Sequence, residues 1–124
     1  MTTLERAVSI HPYFKFQPGK WDEVRALLGE FIARTAREPK VLYYEFTRSE
    51  DLLYCREAYA DAAGLLDHLA NVAAPLEKFL TLAELVRVEV HGPAEELAQL
   101  REPLGHLKPV WFEYECGVGR ARAD

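Results

Sequence analysis

The sequence contains few cysteines and no cluster of basic residues. The only cysteines, Cys55 and Cys116, are far apart, form no CxxC pair and lie in apolar runs. We therefore expect two buried, reduced thiols. Lys and Arg number 15 against 20 Asp and Glu, which gives a net charge of -5. Without a basic patch, neither a nucleic-acid partner nor an anionic membrane partner is expected.

Long apolar segments are also missing. No run approaches the roughly 20 residues that cross a bilayer. The opening "MTTLERAVSI" has no basic segment followed by an apolar stretch, so we expect no signal peptide and a cytoplasmic location.

Several signatures of catalytic and cofactor sites are absent as well. The histidines His11, His91 and His106 lack metal-ligand spacing, so no metal is expected. No GxSxG nucleophile motif occurs, and "GVG" at 117–119 lacks the strand-to-helix context of a dinucleotide loop. We expect His11, His91 and His106 to be surface or hydrogen-bonded residues.

The apolar residues of this 124-residue chain predict one domain, residues 1–124, with alternating strands and helices. The predicted order is β-α-β-β-α-β followed by an added α-β, which indicates an α+β, ferredoxin-like antiparallel sheet. The core covers about 7–91 and the C-terminal extension 92–120. The predicted strands are 7–16, 41–49, 52–60, 85–90 and 110–118. The predicted helices are 21–38, a helix that Asp61 caps and Pro75 breaks, its continuation 76–84, and 92–104.

Alternation along the strands predicts which residues share a face. Val86, Val88 and Val90 are expected to point inward, and Pro12 is expected at a bulge or a sheet edge. The face away from the helices would carry Tyr13, Lys15, Tyr43, Tyr54 and Arg56. This face is too aromatic to remain in water, so we expect the sheet of a second copy to cover it in a homodimer.

Three segments carry a family resemblance: "FKFQPGKWDEV", "EPKVLYYEF" and "REAYADAAGLLDHL". With them, residues 7 to about 90 resemble the antibiotic biosynthesis monooxygenase family of the dimeric α+β barrel superfamily. Glu57, Tyr59, Asp61 and His68 fit the family's Glu-x-aromatic-x-Asp run and its following His. Lys40 stands where the family usually has Gly, and Tyr59 where Trp is common. The tail from residue 91 resembles the extension of a subgroup assigned as quinol monooxygenases.

The resemblance implies a homodimer with a ligand cavity between each sheet and its own helices. It also implies cofactor-free oxidation of phenols or quinols by molecular oxygen. The haem-degrading branch carries a Trp and a ligating His where this chain has His68 and Lys78, so no haem, and no cofactor, is expected.

Element geometry suggests that Glu57 and His68 meet. The strand rises about 3.3 Å per residue after Glu57, and the helix returns about 1.5 Å per residue to His68. These residues are the predicted catalytic pair, with His68 as a base of intrinsic pKa about 6.5 and Glu57 orienting it. A purely structural hydrogen-bonded pair remains the alternative.

Tyr59, Tyr44, Phe46 and Trp21 are candidate substrate-binding residues, although such aromatic residues are more often part of the core. The leading functional hypothesis is a cofactor-independent monooxygenase acting on a phenolic, quinol or polyketide-like aromatic. The alternatives are a non-catalytic binding protein for an apolar metabolite and an isomerase or lactone-handling enzyme of the same superfamily.

Overall fold

The structure is a computed structural model that describes residues 4–119. The outer ends of the predicted domain, and residue 120 at the end of the predicted extension, lie outside the described residues. The elements run β1 (Val8–Phe16), α1 (Trp21–Thr35), β2 (Val41–Ser49), β3 (Leu52–Tyr59), α2 (Ala62–Asn71), α3 (Ala73–Phe79), β4 (Ala83–Gly92), α4 (Ala94–Leu104), a 3₁₀ turn (Gly105–Leu107) and β5 (Val110–Glu113).

The five strands form one sheet in the order β2-β3-β1-β4-β5. The pairs β2–β3, β3–β1 and β1–β4 are antiparallel. At the sheet edge, β5 pairs with β4 in parallel. The α+β, ferredoxin-like plan with an added α-β unit is therefore confirmed. Because β1 and β3 are central, their inward side chains lie under the helices, where a buried site can form.

The core occupies the helix-facing side of the sheet. Along β1, the buried residues are Val8, Ile10, Pro12, Phe14 and Phe16, and the residues between them are partly or fully exposed. The predicted apolar stripe of α4 (Leu97, Leu100 and Leu104) is buried in the same layer. Strand alternation and helical periodicity together predict this one-sided core.

A β-bulge corrects the prediction for β4. Tyr13 pairs with Arg87 and Phe14 with Leu85, so Val86 is the extra residue between them. The bulge shifts the alternation, and Val86 is 47% exposed while Val88 and Val90 are buried. The prediction that Val86 points inward is therefore wrong.

Pro12 lies in a central strand rather than at a sheet edge. The β1–β3 ladder runs from the Ile10–Glu57 pair to the Tyr13–Tyr54 pair without a pair at Pro12. This gap suits a residue that has no N–H to donate. On the β4 side, Pro12 pairs with Val88, and the bulge follows one residue later, between Tyr13 and Phe14.

The helix ends also differ from prediction. The α1 helix stops at Thr35, three residues before the expected end at 38. The helical break comes at Val72, before Pro75, which occupies the first turn of α3 where a missing N–H costs little. The predicted helical piece 76–84 ends at Phe79, because β4 already begins at Ala83.

The C-terminal extension contains less regular secondary structure than expected. The β5 strand ends at Glu113 instead of 118. Cys116 follows it and is exposed, so the expectation of a buried thiol is wrong there, whereas Cys55 is buried as predicted. Within residues 4–119, both thiols are free and no helix has the length and apolar character needed to span a bilayer.

Candidate active site

A cavity of about 100 Å³ lies between the sheet and the helices. Its lining is aliphatic and aromatic except for four side chains: Tyr44, Cys55, Glu57 and His68. All four come from β2, β3 and α2. The cavity therefore has one polar end in an otherwise apolar wall, which is the composition typical of small-molecule sites.

Glu57 and His68 meet at that polar end. Glu57 follows Leu53 and Cys55 on the inward face of β3, and His68 follows Leu65 on the buried face of α2. His68 Nε2 lies 3.4 Å from Glu57 Oε1, and the two residues are only 2% and 5% exposed. The structure thus brings together the two residues expected to meet, and both line the cavity.

The start of α2 explains how His68 is held at this depth. Asp61 precedes the helix, and its carboxylate accepts a hydrogen bond from the Gly64 N–H at 2.8 Å. Lys40 Nζ donates to the two Asp61 oxygens at 3.0 and 3.2 Å. This predicted N-cap fixes the helix end two turns before His68.

A second carboxylate, Glu38, lies on the other side of the imidazole. His68 Nδ1 is 2.9 Å from Glu38 Oε2, and Asn71 Nδ2 donates to the same oxygen at 2.8 Å. Sequence reasoning missed Glu38, because it lies in the α1–β2 connection without periodic neighbours. The one available signal was Asn71, which is three residues after His68 and so shares its helix face.

Two tyrosines enclose the imidazole. The ring centroids of Tyr44 and Tyr59 each lie 5.0 Å from that of His68. The Tyr59 hydroxyl donates to Glu57 Oε1 at 2.5 Å. Tyr59 therefore supports the carboxyl from behind the cavity wall, whereas Tyr44 forms part of the wall.

Burial controls the charge of this cluster. Burial raises the pKa of Glu57 above its usual value, and the nearby His68, the Tyr59 hydroxyl and the Cys55 thiol only partly oppose it. Burial, reinforced by the Glu57 charge, also raises the pKa values of Tyr59, Tyr44 and Cys55. These three groups therefore stay neutral at physiological pH, and Glu57 has an increased tendency to hold a proton.

Of the two remaining predicted binding residues, Phe46 contributes to the cavity wall and Trp21 does not. Phe46 lines the cavity, and its ring meets that of Tyr44 edge to face at 5.1 Å. Trp21 does not line it: its ring packs on Phe16, and the Arg48 guanidinium lies 4.1 Å from its centroid. Trp21 therefore packs at the start of α1, away from the polar end.

The structure supplies no arrangement suited to a metal ion among residues 4–119, where no group of three His, Cys, Asp or Glu side chains could hold one. His11 and His91 lie on the other face of the sheet, with ring centroids 4.6 Å apart. His11 Nδ1 is hydrogen-bonded to the Tyr54 hydroxyl at 2.6 Å. His106 is exposed.

Comparison with solved structures gives a match over nearly the whole chain. The chain is 43% identical to MupZ from Pseudomonas fluorescens, with a TM-score of 0.89, over 93% of this chain and 95% of MupZ. A match of this extent must include most of the C-terminal extension.

More distant structures match at the level of the fold. A protein named antibiotic biosynthesis monooxygenase is 19% identical, with a TM-score of 0.60 over 67% of this chain and 92% of its own. A Caulobacter crescentus protein that carries this name provisionally is 23% identical, with a TM-score of 0.62 over 70% and 89%. No family model and no curated protein sequence matches the chain.

Proposed function

Because the chain belongs to one family with MupZ and shares the fold of proteins named antibiotic biosynthesis monooxygenase, we propose that it is an antibiotic biosynthesis monooxygenase-like enzyme. It uses acid–base chemistry to oxidise a phenolic, quinol or polyketide-like aromatic with molecular oxygen and no cofactor. The observation that carries this proposal is the His68–Glu57 pair at the polar end of an apolar cavity. His68 and Glu57 are the proposed catalytic residues.

The first step is removal of a proton from the substrate hydroxyl. A phenolate gives electrons to oxygen far more readily than a phenol, so a base in the cavity activates the substrate itself. His68 Nε2 takes the proton, and Glu57 shares it across the 3.4 Å that separates Nε2 from Oε1. For a quinol, one oxygen atom then enters the ring as a hydroxyl and the other leaves as water, with a hydroxyquinone as product.

The lining supports a neutral, flat guest. Tyr44 and Phe46 provide aromatic surface beside the polar end, and within the described residues 4–119 no Lys or Arg side chain lines the cavity. A substrate with its own carboxylate would have no cation to pair with and would meet Glu57, so we expect an uncharged ring system. The volume of about 100 Å³ is below the roughly 300–1,000 Å³ typical of ligand pockets. We therefore expect a guest of two rings to push the α2–α3 layer away from the sheet.

We further propose a homodimer in which a second copy covers the outer sheet face, in a cytoplasmic setting. Tyr43 is 36% exposed there, and Arg56 lies over its ring. The Tyr13 and Tyr54 rings pack against each other at 4.8 Å. Such a cluster of aromatic side chains on a sheet face is typical of a surface that becomes buried on association.

Oxygen consumption tests the proposed reaction. With 1,4-dihydroxynaphthalene as substrate, the wild-type chain should consume oxygen faster than the buffer blank. His68→Asn should lower the enzymatic rate by about 100-fold or more, because the general base is removed. His106→Asn alters an exposed histidine outside the site and should leave the rate unchanged. Equal rates for wild type and His68→Asn would refute the role of His68.

A second candidate is an isomerase that uses the same groups without oxygen. It is favoured by the raised pKa of Glu57 beside His68, since an acid and a base in contact can return a proton as well as remove one. Turnover, or exchange of a substrate C–H with deuterium, under anaerobic conditions would support it. Binding of a naphthoquinone without either reaction would instead support a metabolite-binding protein.

A further inference from the structure

Glu38 carries a largely buried carboxylate that has no assigned role in the proposed reaction. Its side chain is 9% exposed, and both of its oxygens face His68 Nδ1, at 2.9 and 3.2 Å. Taking a carboxylate out of water carries a large cost unless it is paired and hydrogen-bonded. Hydrogen bonds from the His68 imidazole and from the Asn71 amide offset this cost for Glu38.

The contacts around Glu38 fix its position. Asn71 Nδ2 donates both to Glu38 Oε2 at 2.8 Å and to the Arg34 carbonyl at 3.0 Å. The Arg34 guanidinium in turn donates to the Asn71 carbonyl at 3.0 Å. This reciprocal pair joins the end of α1 to the end of α2, and Glu38 lies between it and His68.

The direction of the hydrogen bond assigns the tautomer of His68. Glu38 Oε2 already accepts from Asn71, and a carboxylate has no proton to give, so the ring donates through Nδ1–H. In the neutral imidazole, Nε2 then carries the lone pair. Nε2 is the atom that lies 3.4 Å from Glu57 Oε1, at the polar end of the cavity.

We propose that Glu38 is a positioning residue that keeps a proton on His68 Nδ1 and thereby directs the basic nitrogen, Nε2, toward Glu57 and the substrate. A contact that served only to fasten α1 to α2 would not need to reach the imidazole, because the Arg34–Asn71 pair already joins those helices. The assignment of the His68 tautomer rests on these distances alone, whereas the effect of Glu38 on catalysis rests on the proposed function.

The tautomer can be measured without any substrate. In the full chain labelled with ¹⁵N-histidine, the His68 ring signals at mildly alkaline pH should show Nδ1 protonated and Nε2 unprotonated. Glu38→Ala should shift the population toward the Nε2–H form. Glu38→Gln, whose amide oxygen can still accept from Nδ1, should retain more of the wild-type pattern. It also serves as the informative variant if Glu38→Ala does not fold.

A matched control is available on the preceding helix. Glu30 is exposed and pairs with Arg34 Nη2 at 3.1 Å, without any contact to His68. Glu30→Gln should leave the His68 signals unchanged. A proton on Nε2 in the wild type, or an unchanged spectrum in the folded Glu38→Ala and Glu38→Gln chains, would overturn the proposal.

Kinetics then separate this inference from the proposed function. With 1,4-dihydroxynaphthalene, Glu38→Ala should lower kcat by about 10-fold to 100-fold with little change in KM, by analogy with the loss of other groups that orient a catalytic histidine. If the wild type itself consumes no oxygen, the proposed reaction fails while the tautomer result stands. If Glu38→Ala changes the His68 tautomer but leaves kcat unchanged, the proposed effect of Glu38 on catalysis is wrong.

Discussion

His68 is the residue on which the proposed chemistry depends, and its surroundings are asymmetric. The Nδ1 side faces Glu38 in a hydrogen-bonded network, and the Nε2 side faces Glu57 at the cavity. Glu57 also accepts from Tyr59. In the proposed reaction, Glu38 therefore holds the ring, while Glu57 shares the proton that His68 removes.

Glu57 should make folding stability depend on pH. Its pKa in the folded chain is raised above the usual value of 4.5, so the folded state binds more protons than the unfolded state at pH values between these two pKa values. Its favourable contribution is complete below about pH 4.5 and is lost as pH rises through the folded-state pKa. Glu57→Gln removes this titration, and Gln can still accept from Tyr59.

The free energy of unfolding in urea, measured at about pH 5 and pH 8, checks this prediction. As pH rises, the free energy of unfolding of Glu57→Gln should increase relative to that of the wild type. Glu45→Gln, which changes an exposed carboxyl on the neighbouring strand, should show no comparable trend. A difference that moved the other way would mean that Glu57 is stabilised as a charged group.

At the scale of elements, the N-cap of α2 connects stability to the site. Burial alone would raise the pKa of Asp61, but the Gly64 N–H and the Lys40 ammonium lower it below its usual value. Asp61→Ala should destabilise the chain by about 1 kcal/mol through the lost cap. Asp61→Asn should retain much of that energy. Because the Asp61 pKa is depressed, the benefit of Asp61 over Asn is present above about pH 4 and is lost at lower pH.

Thermal or urea unfolding of the two Asp61 variants measures the effect. Equal stability of Asp61→Ala and wild type at neutral pH would show that the cap contributes nothing. Since His68 lies two turns further along α2, a loosened cap should also weaken the Nδ1 hydrogen bond to Glu38.

Glycine substitutions in two helices should have opposite effects. A Cβ on Gly64 would lie 2.8 Å from Lys40 Cβ and 3.3 Å from Tyr59 Cβ, so part of the backbone must shift. We expect Gly64→Ala to destabilise by about 1–3 kcal/mol. Gly29 in α1 has open space, so Gly29→Ala should stabilise by about 0.5–1 kcal/mol. Urea unfolding compares the two, and a stabilising Gly64→Ala would contradict the close approach of α2 to Lys40.

The elements also show how far the sequence could predict the site. Alternation placed Glu57 on the inward face and helical spacing placed His68 beside the buried stripe, because both periods are local. The bulge at Val86 depends on how two strands pair, which no single strand reveals. Glu38 reaches His68 from a connection, a contact set by the packing of helices rather than by any repeat.

For the molecule as a whole, the outer sheet face is the feature still to be tested. Size-exclusion chromatography with light scattering should give twice the monomer mass at micromolar concentration. Tyr43→Glu, placed on the 36%-exposed tyrosine of that face, should shift the protein toward monomer. Tyr114→Glu changes an exposed tyrosine beyond β5 and should not. A wild type that elutes as a monomer would refute the homodimer.

The proposed function depends above all on where a flat phenol binds. A crystal structure of the chain with 2-naphthol, which is not readily consumed, tests this most directly. We predict the rings in the cavity beside Tyr44 and Phe46, with the hydroxyl oxygen within hydrogen-bond distance of His68 Nε2 or Glu57. Density for the ligand elsewhere, or a hydroxyl directed toward the apolar end near Phe79, would contradict the proposed site.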